Sequence, residues 1–365
     1  MDDDFLTKVD ALAAAGHAQE LDFDIVVARV AADRLATIDD ASAERIERYA
    51  ALIENALGKM NDADATRIAV ALSANARTPE RLLARAIARG GEPAAAVLTQ
   101  APRLSEALLL HRAEFGDAIE ATAIAGRADL APRVVDALAR RQESETLRAL
   151  AANPAIALDR GALVALTQRA RFDDQLGKAL LARGLTTSQA TPLFVAADAA
   201  QRRQTMLEIQ RDSLAGRGAG ASPLESVRET ALAEATRGDA RAFSATVARA
   251  LRASRARVER LVEDAGGETL GLIAAAMGLS AAEATQPLLV LRPDLADIVD
   301  DPSSGVRLAM QTSAVAAYRI LAAIVYGRES VPQQGEYGAA ATRGARETRA
   351  PTEHAGLFAQ AIKGR

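Results

Sequence analysis

The chain has 365 residues, of which 49% are hydrophobic but only 3% are aromatic, and it contains no tryptophan. A core of this composition must consist mainly of alanine, leucine, valine and isoleucine, which favours an all-α protein with closely packed helices. The formal net charge of −4 argues against a uniformly basic nucleic-acid-binding protein. The absence of cysteine excludes disulfides, thiolate metal sites and a cysteine nucleophile.

Two segments bear on targeting. The chain begins with MDDDFLTKVD, which is acidic and lacks the apolar region of a signal peptide. The longest apolar run near the C-terminal end, from Ala314 to Gly327, is too short to span a bilayer and contains Arg319. We therefore expect a soluble cytoplasmic protein that does not insert into membranes.

The first predicted elements are N-terminal helices within residues 1–66. Amphipathic patterns cover residues 25–35 and 39–57, and either Asp40 or Ser42 is the expected N-cap of the second helix. These helices are expected to cap a repeat array that follows them.

Internal periodicity marks residues 67–211. Blocks of about 26 residues, written from Arg67, align over four copies, and a fifth, more divergent copy follows. Each block reads as a short helix, a breaker and a second helix. Such short helices bury their apolar faces only by stacking on their neighbours, so we predict an α-solenoid of about five helical-hairpin repeats. One apolar column of the alignment contains Leu72, Leu98, Ile124 and Leu150.

The breakers follow known helix-end chemistry. Proline pushes the preceding residue out of the α region, so Pro154 is expected to end a helix near Asn153, and Asp159 is expected to cap the next one. In the third block, Arg127 occupies the position of Asn153, so the pattern leaves the geometry of that turn open. The equivalent capping positions of other blocks contain Thr78, Ser105 and Thr187.

The remainder of the chain divides into three predicted parts. Gly, Ser and Pro residues mark a linker at 212–223, and a C-terminal helical domain is expected at 224–327. Residues 303–326 are expected to form a single long helix. Residues 328–365 are polar and Gly-rich, which predicts a mostly disordered tail with a possible short helix. Within the C-terminal domain, the expected N-caps are Asp239, Ser254 and Ser280.

The segments ATRIAVALSANARTPERLLARAI and ARAFSATVARALRASRARVERLVEDAGGETLGLIAAAMGLS resemble the domain of unknown function 2336 family, which is mainly alphaproteobacterial. The resemblance covers the chain from Ile25 to Leu291. It implies HEAT-like or leucine-rich-variant-like helical repeats, and it supplies no catalytic motif.

Few residues suggest chemistry. The only histidines are His17, His111 and His354, and no HExxH, GxSxG or phosphate-loop pattern occurs. His111 with Glu106 or Glu114 could form a base, but no nucleophile accompanies them. We therefore predict that the protein is not an enzyme and that it has no catalytic residues, no cofactor and no metal.

The preferred hypothesis is a scaffold or adaptor that binds a protein or peptide partner, because a stacked array exposes one side of its second helices as a continuous face. The candidate partner-binding residues are Arg81, Arg85, His111, Arg112, Arg133 and Asp136.

An alternative hypothesis is a nucleic-acid-associated helical repeat protein that uses an Arg-rich segment. If its arginines share one face, they could contact phosphates or an acidic partner. No aromatic residues are interleaved for base stacking, and Glu259 partly neutralises the segment. The candidate contacts are Arg249, Arg252, Arg255 and Arg260.

Overall fold

The computed structural model describes Thr7 and residues 21–37, 42–215 and 222–327. All regular elements in these residues are helices and none is a strand, which confirms the all-α fold class. The predicted tail at 328–365 lies outside the described residues, and so does most of the predicted linker. None of the described helices has both the length and the apolar composition needed to cross a bilayer.

The described chain forms two compact units. The first extends to Thr186 and includes Val195–Asp198, whereas the second contains Thr187–Phe194 and the described residues from Ala199 onward. The sequence predicted that the array extends to residue 211. In the structure, the helix that begins at Ala199 belongs to the second unit, for a reason given below.

The first unit is a succession of helical hairpins. Odd-numbered helices are called first helices and even-numbered helices are called second helices. The helices are α1 (Leu21–Thr37), α2 (Ala43–Leu57), α3 (Asp62–Ser73), α4 (Glu80–Ile87), α5 (Gly91–Gln100), α6 (Glu106–Phe115), α7 (Ala118–Ala125), α8 (Pro132–Ala139), α9 (Ser144–Ala152), α10 (Arg160–Ala170) and α11 (Asp174–Leu181).

The hairpins stack in two layers. Each first helix from α1 to α11 packs on the next first helix, and α6, α8 and α10 pack in succession on the other side. The predicted apolar column lies in the first-helix layer, where each member is fully buried in its own helix. This arrangement confirms the helical-repeat fold, whereas the number of repeats stays a prediction. The buried column residues are Leu72, Leu98, Ile124 and Leu150.

Several predicted helix ends are present. Asp159 caps α10, and its carboxylate accepts the N–H of Ala162 at 2.7 Å. Ser42 and Ser105 cap α2 and α6. Helix α9 ends at Ala152, immediately before the Asn-Pro dipeptide. These ends follow from side-chain capping and from the backbone restriction that proline imposes.

The predicted cap at Thr78 is wrong. Pro79 occupies the N-cap position of α4 and provides no side-chain cap. Thr78 lies one residue too early, and its hydroxyl instead donates to the Leu72 carbonyl at 2.7 Å. Its hydroxyl therefore provides a donor to a carbonyl near the end of α3 and does not cap the start of α4.

A ladder of long polar side chains joins successive hairpins of the first unit. Each member follows the C-terminal end of a helix and donates to carbonyls 25–40 residues earlier, at the end of the corresponding helix in the preceding hairpin. Carbonyls at helix ends have no partner within the helix, so the ladder satisfies them across the stack. Its members are Asn75, Arg89, Arg127, Arg141, Asn153 and Arg183.

The contacts of Arg127 show how the turn of the third block is held, which the sequence pattern did not determine. Its Nη1 donates to the carbonyls of Leu98 and Ala101, both at 2.9 Å. One hairpin later, Asn153 Nδ2 donates to the carbonyls of Ala125 and Arg127 at 2.9 and 2.7 Å. Arginine and asparagine therefore perform the same task at equivalent positions.

Some ladder arginines are held by an acid two residues further along the chain. Arg141 binds Glu143 through Nε at 3.0 Å and Nη2 at 2.8 Å. These hydrogen bonds, together with a backbone N–H, lower the pKa of Glu143 to about 2. The bidentate contact fixes the guanidinium while its remaining donors reach the carbonyls. The same pairing joins Arg127 to Asp129 and, in the second unit, Arg292 to Asp294.

The second unit is less regular. Its 3₁₀ segments include Glu225–Val227 and Pro293–Leu295. The helices are α12 (Thr187–Ala190), α13 (Ala199–Leu214), α14 (Arg228–Thr236), α15 (Ala240–Ala250), α16 (Arg255–Val262), α17 (Glu268–Ala276), α18 (Ala281–Leu291), α19 (Ala296–Asp300), α20 (Gly305–Met310) and α21 (Ala314–Tyr326). The predicted N-caps of α15, α16 and α18 are present at Asp239, Ser254 and Ser280.

The single long helix predicted over residues 303–326 is wrong. The chain forms α20 and α21, separated by a turn. Thr312 donates its hydroxyl to the Leu308 carbonyl at 3.0 Å, and Ser313 caps α21 by accepting the Ala316 N–H. Two hydroxyl residues that compete with helical hydrogen bonding therefore restart the helix.

A buried ion cluster explains why α13 belongs to the second unit. Arg202 on α13 contacts Asp264 at 2.8 Å and Glu268 at 2.7 Å, and all three residues are buried. The guanidinium also lies over the ring of Phe194, 5.4 Å from its centroid. Helix α13 packs on α20 and α21, so its packing and its buried charge are both satisfied within this unit.

Candidate partner-binding surface

The six expected partner-binding residues lie on second helices, but they differ in accessibility. Arg85, His111 and Arg133 are exposed. Arg81 is also exposed, but it forms ion pairs with Glu47 and Glu54 of the neighbouring α2. Arg112 and Asp136 are only half exposed.

Arg112 serves a carboxylate inside the protein. Its Nη1 lies 3.5 Å from Oε2 of Glu120, and the Glu120 side chain is only 2% exposed. Burial raises the pKa of Glu120, and the charge of Arg112 partly opposes that increase. Arg112 therefore compensates a buried charge, which makes it a weaker candidate for partner binding.

The structure adds exposed arginines that the sequence analysis did not include. Arg140 directly follows α8, and Arg160 and Arg169 lie near the two ends of α10. With Arg133 they form a group of four exposed arginines, and none of the four makes an ion pair with another described residue. Asp136 is the only acidic residue on either helix. The sequence carries a signal for this group: comparing the numbers of basic and acidic residues among the second helices would have identified it.

The two helices combine these charges with apolar positions. Arg133 and Ala137 on α8 and Arg140, directly after it, are spaced by four and three residues, and Arg140 still has a helical backbone conformation, so the three share one face. The rise of 1.5 Å per residue separates the two arginine positions by about 10 Å along the axis. On the adjacent α10, the side chain of Val164 is 52% exposed. On α10, Arg160 and Val164 are four residues apart and share one side, whereas Arg169 lies about 180° around the axis from Arg160. We call the five residues Arg133, Ala137, Arg140, Arg160 and Val164 the α8/α10 surface.

The Arg-rich segment of the second unit does not present one row of arginines. All four candidates are exposed, but Arg255 pairs with Glu259 at 2.9 Å. Arg255 and Arg260 are five residues apart on α16, which places them about 140° apart around the axis. Arg257, which was not a candidate, donates to the Val325 carbonyl at 2.9 Å.

Arg252 has a left-handed backbone conformation, with φ of +48°, unlike any other non-glycine residue that the structure describes. The N–H of Ala253 donates to the Ala248 carbonyl at 2.9 Å, which is the helix ending that normally favours glycine. Glycine occupies the corresponding positions after α14 and α17, at Gly238 and Gly278.

The described residues contain no group of three or more histidine or acidic side chains arranged to hold a metal. His17 and His354 lie outside the described residues. The ring of His111 packs against Phe115, with the centroids 5.3 Å apart.

A family model matches residues 94–219, and it describes an uncharacterised protein conserved in bacteria, DUF2336. Residues 94–219 are similar to this family. The resemblance expected from the sequence is therefore confirmed here, over about a third of the chain, and the alphaproteobacterial and HEAT-like attributes stay predictions. The α8/α10 surface lies entirely within the DUF2336 segment. Searches of curated proteins and of solved structures found no match.

Proposed function

We propose that this protein is a non-enzymatic helical-repeat adaptor that binds a protein or peptide partner on the outer face of its second helices. The observation that supports this function most directly is the group of four exposed arginines on α8 and α10 without ion pairs. Carboxylates of a partner would pair with them through charge-assisted hydrogen bonds.

The ladder supports the same function. Arg141 follows α8 and donates to the carbonyls of Ala113 and Gly116 at 2.9 and 3.0 Å, which ties the end of α8 to α6. A face built on helices that are fixed in this way loses little conformational freedom when a partner binds, and such preorganisation increases affinity.

Capture from an extract of the encoding bacterium, using the tagged full-length protein, tests this function. We expect the doubly substituted Arg133→Glu/Arg160→Glu protein to retain at least tenfold less of a specific partner than the unsubstituted protein, because reversed charges repel carboxylates. The matched control is Arg237→Glu/Arg241→Glu, which changes two exposed arginines of the second unit. Equal retention by both variants would contradict the proposal. We also propose a cytoplasmic location, which microscopy of a fluorescent fusion tests.

A second candidate function is contact with nucleic-acid phosphates by the turn between α15 and α16. The observation in its favour is the backbone of Arg252, since an exposed arginine occupies a position where glycine would be less strained. A labelled duplex at low salt should bind the unsubstituted protein more tightly than the Arg249→Gln/Arg252→Gly variant. If the duplex does not bind, this candidate fails.

A further inference from the structure

We propose that the segment recognised by the α8/α10 surface is an amphipathic helix with acidic residues at positions i and i+7 and apolar residues at i+3 and i+4. This inference rests on the proposed function, because it specifies the partner of the same surface.

The charge of the surface selects an acidic ligand. Three exposed arginines, Arg133, Arg140 and Arg160, are accompanied by two acids, the half-exposed Asp136 and the exposed N-cap Asp159, whose carboxylate accepts a backbone N–H of α10. Helix α10 itself contains no acidic residue from its first to its last position. Burying these guanidinium groups against an apolar or basic partner would leave their charges unpaired, which is costly.

The apolar positions of the surface select an apolar contact. Val164 on α10 is 52% exposed, and Ala137 lies between Arg133 and Arg140 along the adjacent α8. Isolated phosphates would leave Val164 without an apolar partner, whereas a leucine side chain would cover it. These positions therefore favour a protein segment over a nucleic acid.

The spacing on α8 selects a helical ligand. Arg133 and Arg140 are seven residues apart, which is about 10 Å along the axis and nearly two full turns. A partner helix that lies along α8 has the same rise and phase, so its residues i and i+7 face the two arginines together. Its residues i+3 and i+4 lie on the same side, and we expect them to contact Ala137 and, on the adjacent α10, Val164. An extended strand places same-face residues about 6.6 or 13 Å apart, which fits these positions less well.

The interior contact next to Arg140 is made by its neighbour in the chain. The ladder residue Arg141 satisfies carbonyls at the end of α6, so Arg140 is not required there and its side chain is exposed.

Fluorescence anisotropy with the full-length protein tests the inference. The probe is a labelled alanine- and glutamine-based helical peptide of about 18 residues that carries two glutamates at i and i+7 and two leucines at i+3 and i+4. Matched probes replace both leucines by glutamine, or move the second glutamate to i+5. We expect the first probe to bind at least tenfold more tightly than either control, because each control loses one buried contact of the interface.

Substitutions in the protein provide the reciprocal test. Arg140→Gln and Val164→Ser should each weaken binding of the first probe about tenfold. Arg241→Gln and Val290→Ser change an exposed arginine and an exposed valine of the second unit, so binding should stay the same. Circular dichroism should show unchanged helix content for all four variants, because the altered side chains are exposed.

The outcomes separate this inference from the function on which it rests. If the three probes bind equally, or none binds, the inference is overturned. If Arg133→Glu/Arg160→Glu nevertheless loses its partner in the capture experiment, the adaptor function stands. Tighter binding of a labelled duplex than of the first probe would also overturn the inference. A concentration-dependent dimer that Arg140→Gln abolishes would show that a second copy covers the surface, and this result would likewise overturn it.

Discussion

The two units connect distant parts of the chain in different ways. In the first unit, an arginine or asparagine after six of the described helices reaches helix-end carbonyls 25–40 residues earlier. In the second unit, Arg202 contacts Asp264 and Glu268, which follow it by 62 and 66 residues, in one buried cluster. The first unit links its hairpins through hydrogen bonds to many uncharged carbonyls. The second unit relies on one cluster of three charged side chains.

This difference determines how each unit should respond to damage. The loss of one ladder residue leaves polar carbonyls without a partner, which costs about 1–3 kcal/mol. The loss of the central arginine leaves two buried carboxylates without compensation, which costs about 3–5 kcal/mol.

Arg202→Met should destabilise the second unit by about 3–5 kcal/mol, because Asp264 and Glu268 remain buried and charged. Chemical denaturation followed by circular dichroism measures the change. Adding Asp264→Asn and Glu268→Gln to the same protein should restore part of the loss. Arg241→Met, at an exposed position, is the control, and an equal loss in the control would remove the special role of the cluster.

Arg127→Ala should destabilise the first unit by about 2–3 kcal/mol, because it removes charged donors from the carbonyls of Leu98 and Ala101. Hydrogen exchange should increase most in α5 and α7. Arg127→Asn should retain more stability than Arg127→Ala, since Asn153 performs the same task one hairpin later. The exposed Arg103 supplies the control, Arg103→Ala, for which we expect a change below about 0.5 kcal/mol.

Two carboxylates of the first unit should respond oppositely to pH. The pKa of Glu143 is lowered to about 2, so its contribution to stability is present above its unfolded pKa and is lost as the pH falls towards 2. The pKa of Glu120 is raised by burial, so its charge reduces stability at neutral pH, and this penalty disappears as the pH falls through the raised pKa.

Thermal melting between pH 7 and pH 2 tests this contrast. At pH 7, Glu143→Gln should lower the melting temperature and Glu120→Gln should raise it. Each substitution should change the free energy of unfolding by about 1 kcal/mol or less. Both differences from the unsubstituted protein should shrink as the pH falls. A destabilising Glu120→Gln substitution at pH 7 would show that the Arg112 pair outweighs the cost of burial.

The smallest predicted effect concerns a local strain in the second unit. Arg252→Gly should stabilise that unit by about 0.5–1 kcal/mol, because glycine adopts the left-handed conformation without a steric penalty. The greater conformational entropy of glycine in the unfolded chain offsets part of this gain. Gly238→Ala, at the corresponding position after α14, should be destabilising. Opposite signs for the two substitutions would confirm that the conformation is imposed by the helix ending, and matching signs would contradict it.

The sequence predicted those features that depend on neighbouring residues. The apolar column from Leu72 to Leu150 predicted the buried first-helix layer, and Asp159 and Ser105 were identified as caps, because periodicity and capping act within one or two turns. Thr78 and the helix over residues 303–326 were predicted wrongly. In both cases a hydroxyl donates to a carbonyl four or six residues earlier, and the sequence alone does not show which of two available partners it selects.

The candidate surface was less predictable, because it depends on which charges find partners. Arg81 and Arg112 resemble Arg133 in the sequence, yet both form ion pairs with residues of other helices. Arg140 and Arg141 are adjacent, but only Arg141 is held by carbonyls of the preceding hairpin. These differences arise from the way the hairpins stack. The spacing of the blocks predicts that they stack, but it does not show which side chains meet across neighbouring helices.

The ladder also has a consequence for how genes of this kind can change in length. Recombination that removed residues 127–152, one period of the array, would join Gly126 directly to Asn153. The asparagine would then follow α7, where Arg127 now donates to Leu98 and Ala101, and those carbonyls would keep a donor. Loss of this whole period therefore leaves the end of α5 with a donor, whereas a deletion of a few residues at the same place would move that donor out of reach.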